Sequence, residues 1–353
     1  MRVVIVGASG NAGTALVRRL RREPDVEIVG VARRLPPPDG LDWHAHDVGT
    51  ASVADLAETF HGADAVVHLA WQIQPSHDRR TLYRTNVLGS RNVAAATVRA
   101  GVPALVFASS VGVYAPGPKD AYVTEDWPRT GVLESSYSRH KALVEGLLDR
   151  IEADHSALRV VRLRPGLIFQ RHSGTEIGRY FAGPLLPARL LKYRRIPVIP
   201  ANPRLRMQAV HADDVADAYA RILRSDVRGA FNVAASPVLD PAVAASVFRG
   251  VQIPTPGVVL HAAALLTWWL RLQPVDAGWV ELGLKAPLMS CDRIARELGW
   301  RPEHDSVATL LELVGGLADR AHADTPPLSG DSSLPGRLGG LIRGRLPGSG
   351  NPY

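Results

Sequence analysis

The chain has 353 residues, 46% of them hydrophobic and 21% charged, a balance that supports a packed core and argues against intrinsic disorder. Its one cysteine, Cys291, excludes an internal disulfide framework, and the longest apolar stretch, Val258 to Leu270, contains His261 and Thr267 and is too short to span a bilayer. The net charge of +7 is almost all arginine, scattered rather than gathered on one face with interleaved aromatics, so no nucleic-acid partner is expected.

Met1-Arg2 leads at once into a β-branched run, which predicts a strand over Arg2–Val6 with no apolar leader; a cytoplasmic protein without stable membrane insertion is expected. A helical pattern follows over Ala12–Leu20, with Ala12, Leu16, Val17 and Leu20 inward and arginines outward. Further strands are predicted at Glu27–Ala32, Ala65–Leu69, Ala104–Ala108 and Arg159–Arg164, with helices at about Arg84–Ala100 and Tyr137–Ile151. That alternation predicts a parallel sheet covered on both faces. Beyond Arg164-Pro165-Gly166, short segments punctuated by Pro184, Pro187, Pro197, Pro200 and Pro203 read as a smaller, loop-rich region. Phe231-Asn232-Val233 is expected to return to the main sheet, and helices are expected around 258–272 and 290–299. From Ala321 the chain is rich in Pro, Gly, Ser and Arg and reads as a flexible tail.

Gly7-Ala8-Ser9-Gly10-Asn11-Ala12-Gly13 stands between the first strand and the first helix. Glycines there let the backbone turn tightly and approach a pyrophosphate, whose charge rests on the helix N-terminus. The second strand ends Val31-Ala32-Arg33-Arg34, with alanine where an acid would hold a ribose 2′-hydroxyl. Two guanidiniums suit a 2′-phosphate instead, so NADP is expected ahead of NAD. Tyr137 and Lys141, four residues apart, share one helix face. A nearby ammonium favours the phenolate and draws the tyrosine pKa toward neutrality, as reversible proton transfer at an alcohol requires.

These segments resemble the extended short-chain dehydrogenase/reductases, the family of nucleotide-sugar epimerases, dehydratases and related reductases. The resemblance rests on the G-x-x-G-x-x-G spacing, Tyr137-x-x-x-Lys141, Ser109-Ser110-Val111-Gly112-Val113-Tyr114, Asn86 to Asn92, Arg164-Pro165-Gly166, Val210 to Ala216 and Asp292 to Pro302. It implies an α/β fold: a Rossmann-like doubly wound parallel sheet over residues 1–166 with a returning strand near 230–234, a substrate-binding lobe over 167–320, and the tail 321–353. It implies Ser110, Tyr137 and Lys141 as the catalytic set, with Ser109 the nearest alternative to Ser110. The implied cofactor shell is Gly7, Ser9, Gly10, Asn11, Ala12, Gly13, Arg33, Arg34, Asp47, Val48, Leu69, Ala70, Asn86 and Pro165, with Tyr137 and Lys141. His68 is read as a satisfied buried histidine. Asp213 and Asp214 are read as helix caps rather than ligands, so no metal is expected.

Two features depart from the family. Met207 stands four residues before His211, where nucleotide-sugar enzymes carry an arginine, and Arg204 and Arg206 are out of register. The segment Pro254–Pro287, with Trp268, Trp269 and Trp279, is more apolar than a nucleotide pocket needs; it fits core packing, an apolar substrate, or a lid near a membrane surface. The leading expectation is an epimerase/dehydratase-type oxidoreductase acting on a small molecule with a hydroxyl or carbonyl group, and a homodimer is allowed. An NADPH-dependent reductase or dehydrogenase of an apolar ketone, aldehyde or sterol-like alcohol stands second. A protein that senses NADP(H) or serves as a scaffold is the reading from another class.

Overall fold

Val3, Val4, Ile5 and Val6 are all buried, as β-branched residues in the middle of a doubly covered parallel sheet must be. In the computed structural model, which describes residues 1–74, 77–182 and 191–329, they form β1 (Arg2–Val6). The other strands of its sheet are β2 (Glu27–Ala32), β3 (Asp42–Ala45), β4 (Ala65–His68), β5 (Ala104–Ala108), β6 (Arg159–Pro165) and β7 (Gly229–Val233). Their spatial order is β7-β6-β5-β4-β1-β2-β3, with every pairing parallel. The chain winds outward through β2 and β3, then crosses back to β4 on the far side of β1. Ligands of such sheets bind where that reversal opens a crevice beyond the strands' C-terminal ends.

The returning strand is β7, which pairs with β6 from Gly229↔Val161 to Val233↔Pro165. Strand β3 was not anticipated. It is an edge strand with no fully buried residue, and Asp42-Trp43-His44-Ala45 carries no β-branched signal. Trp43 finds its place because Gly30 of β2 has no side chain; a Cβ there would lie 2.6 Å from the indole.

Helices α1 (Asn11–Leu20), α2 (Gly89–Arg99), α3 (Ser136–Asp154) and α4 (Ala212–Leu223) cover both faces of the sheet, α1 and α4 on one and α2 and α3 on the other, while α5 (Gly257–Trp269) and α6 (Ala277–Lys285) pack on each other. Of the arginines of α1, Arg18 is exposed as expected and pairs with Asp213 of α4, while Arg19 is half-buried and pairs with Asp217 at 3.2 Å. The single helix expected from Arg84 is interrupted. A wide i→i+5 turn, Arg84–Leu88, precedes α2, and such turns are frequent at functional sites.

The cap of α4 is not an aspartate. His211 Nδ1 accepts from the Asp213 amide, while Asp213 and Asp214 occupy the first turn. Asp214 is buried and accepts from the amides of Glu303 and His304, and its carbonyl accepts the indole N–H of buried Trp300 at 2.9 Å. Two segments of the family resemblance, nearly ninety residues apart (|i−j| = 86 for Asp214 and Trp300), thus form one joint.

Composition placed the start of the tail at Ala321, but the chain stays packed through Ser329. Thr175 N–H donates to the Ala321 carbonyl, Arg179 donates to the Pro327 carbonyl, and Leu328 is fully buried. One well-placed leucine anchors a polar segment that averages cannot reveal. Residues 330–353 of the expected tail lie outside the described residues. Leu328→Ala should therefore lower unfolding free energy by about 2–5 kcal/mol in urea titrations; a change within error would show that Leu328 is not anchored.

Candidate active site

The glycine loop is built for close approach. Gly7 has φ +92°, and a Cβ on it would lie 2.6 Å from the Ala70 amide nitrogen. A Cβ on Gly13 would lie 2.3 Å from the Gly7 carbonyl, so the first turn of α1 presses directly on the loop. Gly10 is the N-cap and offers no side-chain acceptor, which leaves the first amides of α1 to an anion. Ala8 and Ser9 are buried beneath. The Asn11 side chain turns away, donating to the Ile168 carbonyl and accepting from Gln170; its backbone, with Ala12, remains at the helix N-terminus.

The rest of the expected shell lies along the same sheet edge. Arg33 and Arg34 follow β2 and are exposed. Partial burial and the charges of Arg33 and Arg179 hold the Arg34 pKa below its usual range, which adds Arg179 as a third cation that local sequence could not place there. Asp47 follows β3 and accepts the Gly49 amide. Val48 is buried against Gly89, where a Cβ would lie 2.7 Å from Val48 Cγ2, and Asn92 donates to the Val48 carbonyl. Leu69 and Ala70 follow β4 and face Gly7. Asn86 differs from expectation. It is buried and spends both ends of its amide on Gln72, at 2.8 Å to N and to O, so it shapes the Leu69–Gln72 loop rather than presenting its own side chain. Pro165 ends β6 beside Val233. A tight cradle, free amides at a helix start and cations after β2 fit a nicotinamide dinucleotide.

Ser110 and Tyr137 meet beyond β5. Ser110 Oγ accepts the Gly112 amide at 3.0 Å and adjoins Tyr137. Gly112 is required here, because a Cβ would lie 2.9 Å from the Tyr137 ring. Ser138 staples α3 to this turn, donating to the Gly112 carbonyl and accepting the Val132 amide at 2.6 Å. The Tyr137 ring packs edge-on to Trp71 at 5.9 Å and against Trp279 of α6 at 4.9 Å.

Lys141 departs from the expected arrangement. Its Nζ donates to the Ala108 carbonyl at 2.7 Å and sits 3.4 Å from the centroid of the Trp71 ring. Burial drives its pKa well down, only partly offset by Glu145. A desolvated ammonium of this kind supplies little fixed positive charge to the phenol. Burial accordingly pushes Tyr137 up to about 12 rather than toward neutrality, with the Ser110 hydrogen bond acting in the opposite sense. Trp71 follows the expected cofactor residues Leu69 and Ala70 and carries no signal of its own in the sequence. Its ring underlies Lys141, and its buried Nε1 has no hydrogen-bond partner among the described residues.

Ser109 points elsewhere. Its hydroxyl donates to Glu145 Oε1 at 2.5 Å. Glu145 is fully buried and receives Arg164 Nε at 2.9 Å and Nη2 at 2.6 Å. Burial raises the Glu145 pKa, but the hydrogen bonds and charge of Arg164 outweigh it and hold the carboxyl below its usual range. Arg164 also donates to Tyr114 Oη at 2.9 Å, and Tyr114 donates to Asn232 Oδ1 of β7 at 2.6 Å. The two adjacent serines therefore serve different networks.

His68 is only half satisfied. Nε2 shares a 2.9 Å hydrogen bond with Ser90, while buried Nδ1 has no partner among the described residues. Burial, with Lys141 nearby, lowers its pKa to about 3. Among the described residues no three His, Cys, Asp or Glu side chains converge as a metal site.

The chain matches the NAD dependent epimerase/dehydratase family over residues 3–234. It belongs to that family. A UDP-glucose 4-epimerase of Azospirillum brasilense is 25% identical over 332 residues, covering 86% of this chain and 88% of that protein. The decarboxylating sterol-4-alpha-carboxylate 3-dehydrogenase of Saccharomyces cerevisiae is 31% identical over 181 residues, which is 47% of this chain and only 51% of that enzyme. Among solved structures, the NAD complex of Thermus thermophilus UDP-glucose 4-epimerase superposes with a TM-score of 0.67 at 22% identity, covering 90% of this chain and 99% of that one. The dTDP-glucose 4,6-dehydratase of Streptomyces venezuelae, with NAD bound, gives 0.69 at 19% identity over 93% and 100%. These structural matches establish the fold.

Two predictions follow from the buried groups. Ser109→Ala strips a hydrogen bond from a buried carboxylate and should cost about 1.5–3 kcal/mol of stability, measured by urea denaturation; a neutral result would deny the Glu145 network its structural role. The second concerns pH. His68 and His140, with pKa values lowered to about 3 and about 4, stay neutral in the fold while an unfolded histidine protonates near 6.5. Below that value the unfolded state binds more protons, so stability should fall steadily from about pH 6.5 toward pH 4. His68→Gln should flatten the slope, and melting curves across that range would expose an unchanged one.

Proposed function

We propose that this protein is a hydride-transfer enzyme that prefers NADP and acts on an apolar ketone or alcohol, with Tyr137 as the proton carrier. The observation that carries the reading is the setting of Tyr137: its phenol adjoins Ser110 and its ring is packed by Trp71 and Trp279, beside a small cleft that Trp279 lines together with Gln72, Asn86, Ser136, His140 and Asp276. The two indoles against the ring give an apolar skeleton a surface to pack on, and the polar groups of the cleft would orient its one oxygen.

Gly7 to Gly13, with Leu69 and Ala70, would hold the dinucleotide's pyrophosphate, and Arg33, Arg34 and Arg179 would meet a 2′-phosphate. Bound there, the cofactor supplies or accepts the hydride. Tyr137, with its pKa near 12, is protonated throughout the neutral range and stands ready to give its proton to a substrate oxygen as negative charge develops there. Ser110, oriented by the Gly112 amide, donates a second hydrogen bond to that oxygen. Lys141 lies beneath the site, its Nζ held by the Ala108 carbonyl and the Trp71 ring.

A second reading, redox-neutral epimerisation of a sugar nucleotide, draws on one cluster. Lys119, Arg204 and Arg206 lie together, their side chains donating only to main-chain carbonyls among the described residues. Burial and the two arginines lower Lys119 to about 7. Such a group could take a diphosphate despite Met207.

Purified protein incubated with NADPH and either long-chain ketones or UDP-glucose separates the two readings: net NADPH oxidation with the ketones supports the first, and conversion of UDP-glucose without net oxidation the second. Tyr137→Phe should abolish turnover while leaving cofactor affinity near wild type, and substantial residual turnover would defeat the proton-carrier role. With Tyr137 acidic only near pH 12, the reductive rate should hold through neutrality while the oxidative rate climbs with pH. Pre-steady-state rates in both directions test the sign. Arg33→Ala with Arg34→Ala should erode NADPH affinity by about tenfold or more and NADH affinity little, as loss of charge-assisted phosphate contacts requires.

A further inference from the structure

Helix α5 presents a contradiction between composition and surroundings. GVVLHAAALLTWW is apolar around nearly its whole circumference, a pattern of helices sealed within cores or membranes, yet none of its thirteen residues is buried. Its half-buried side turns to the protein. His261 binds Glu281 of α6 at 2.7 Å, and Trp268 stacks on His77 at 4.1 Å. Every exposed position, from Val258 to Trp269, is apolar. Val258 is 76% exposed, Leu266 57% and Trp269 71%; with Ala262 they follow an i, i+4, i+8, i+11 spacing that makes one continuous face. A patch of that kind on a folded chain marks an interaction surface.

The charges around it identify the partner. Pro241 to Val275 contains Arg249 and Arg271 and no acidic residue, and Leu191 to Ala212 contains Lys192, Arg194 and Arg195 among five cations and again no acid. All five of these named cations are exposed. The two stretches are neighbours: Val198–Ala201 pairs with Val251–Pro254, and the Ile196 amide donates to the Phe248 carbonyl at 3.1 Å. At about 20 Å long, α5 is too short to cross a bilayer but long enough to lie along one. A second copy of the chain would bring these cations against their own symmetry mates, and like charges oppose such docking.

We propose that α5 docks this protein reversibly on an anionic lipid surface, its apolar face sunk among the acyl chains and the surrounding Lys and Arg at the headgroups. The experiment is co-sedimentation with vesicles of phosphatidylcholine alone and of phosphatidylcholine mixed equally with phosphatidylglycerol. The protein should bind the mixed vesicles, bind the neutral ones weakly, and be released by salt. Val258→Glu combined with Leu266→Glu, both on exposed positions, should reduce partitioning by about tenfold or more without lowering the melting temperature. Brominated acyl chains should quench tryptophan fluorescence, and Trp269→Phe should remove most of that quenching. Failure to bind either vesicle, or equal binding by the double variant, overturns the proposal. So does a native dimer that the double variant dissociates while neither form binds lipid, since the occupant is then a second copy.

Discussion

The buried pair of Arg164 and Glu145 is the constraint on which the site's geometry depends. A carboxylate stripped of water is tolerated only when its hydrogen-bonding capacity is filled, and Glu145 is met by two Arg164 nitrogens, Ser109 and Arg129. Each partner comes from a different place: Arg164 from β6, Ser109 from the end of β5, Arg129 from the loop before α3. Glu145 lies one helical turn beyond Lys141 on α3, so fixing its carboxylate fixes the rotation of the helix that carries Tyr137 and Lys141. Removing one member would strand a charge at a cost of about 3–5 kcal/mol. The pair's contribution is less net stability than register, since two well-packed apolar residues could fill the same volume but would not specify the angle of α3.

Features whose cause is local were legible in the sequence. A strand that stops at Gly7, a glycine at each close approach of α1, and two reactive side chains four residues apart are all written within a dozen residues. Features made by distant contacts were not. Ser109 and Ser110 have the same chemistry and neighbouring positions; only the fold shows that one faces Glu145 and the other Gly112 and Tyr137. Asn86 reads as a cofactor residue until its amide is seen to be consumed by Gln72. Arg19 reads as solvent-facing because its carboxylate partner stands on α4, some two hundred residues away in the chain (|i−j| = 198). β3 was invisible for a different reason: its stability comes from pairing with β2 and from the notch at Gly30, not from its own composition.

The electrostatics of the centre follow from its dryness. Glu145, already matched by Arg164, offsets the burial of Lys141 only in part, so the Lys141 nitrogen leans on a carbonyl and an aromatic face. An indole quadrupole can stabilise a desolvated cation by about 2 kcal/mol or more. Trp71 thus compensates for the burial it helps to cause: the ring that excludes water from Tyr137 also carries the charge that water would otherwise have stabilised.

Helix α6 joins this centre to the apolar surface. Its Trp279 packs on Tyr137 at 4.9 Å, its Glu281 holds His261 of α5, and its Gly278 lies so close to the Glu134 carbonyl that a Cβ would stand 2.7 Å away. That last contact leaves α6 no room to slide relative to the start of α3. α6 is thus held between α5 and the start of α3, and its Trp279 forms part of the wall of the cleft beside Tyr137. The same helix separates the exposed apolar face of α5 from the cleft that Trp279 lines.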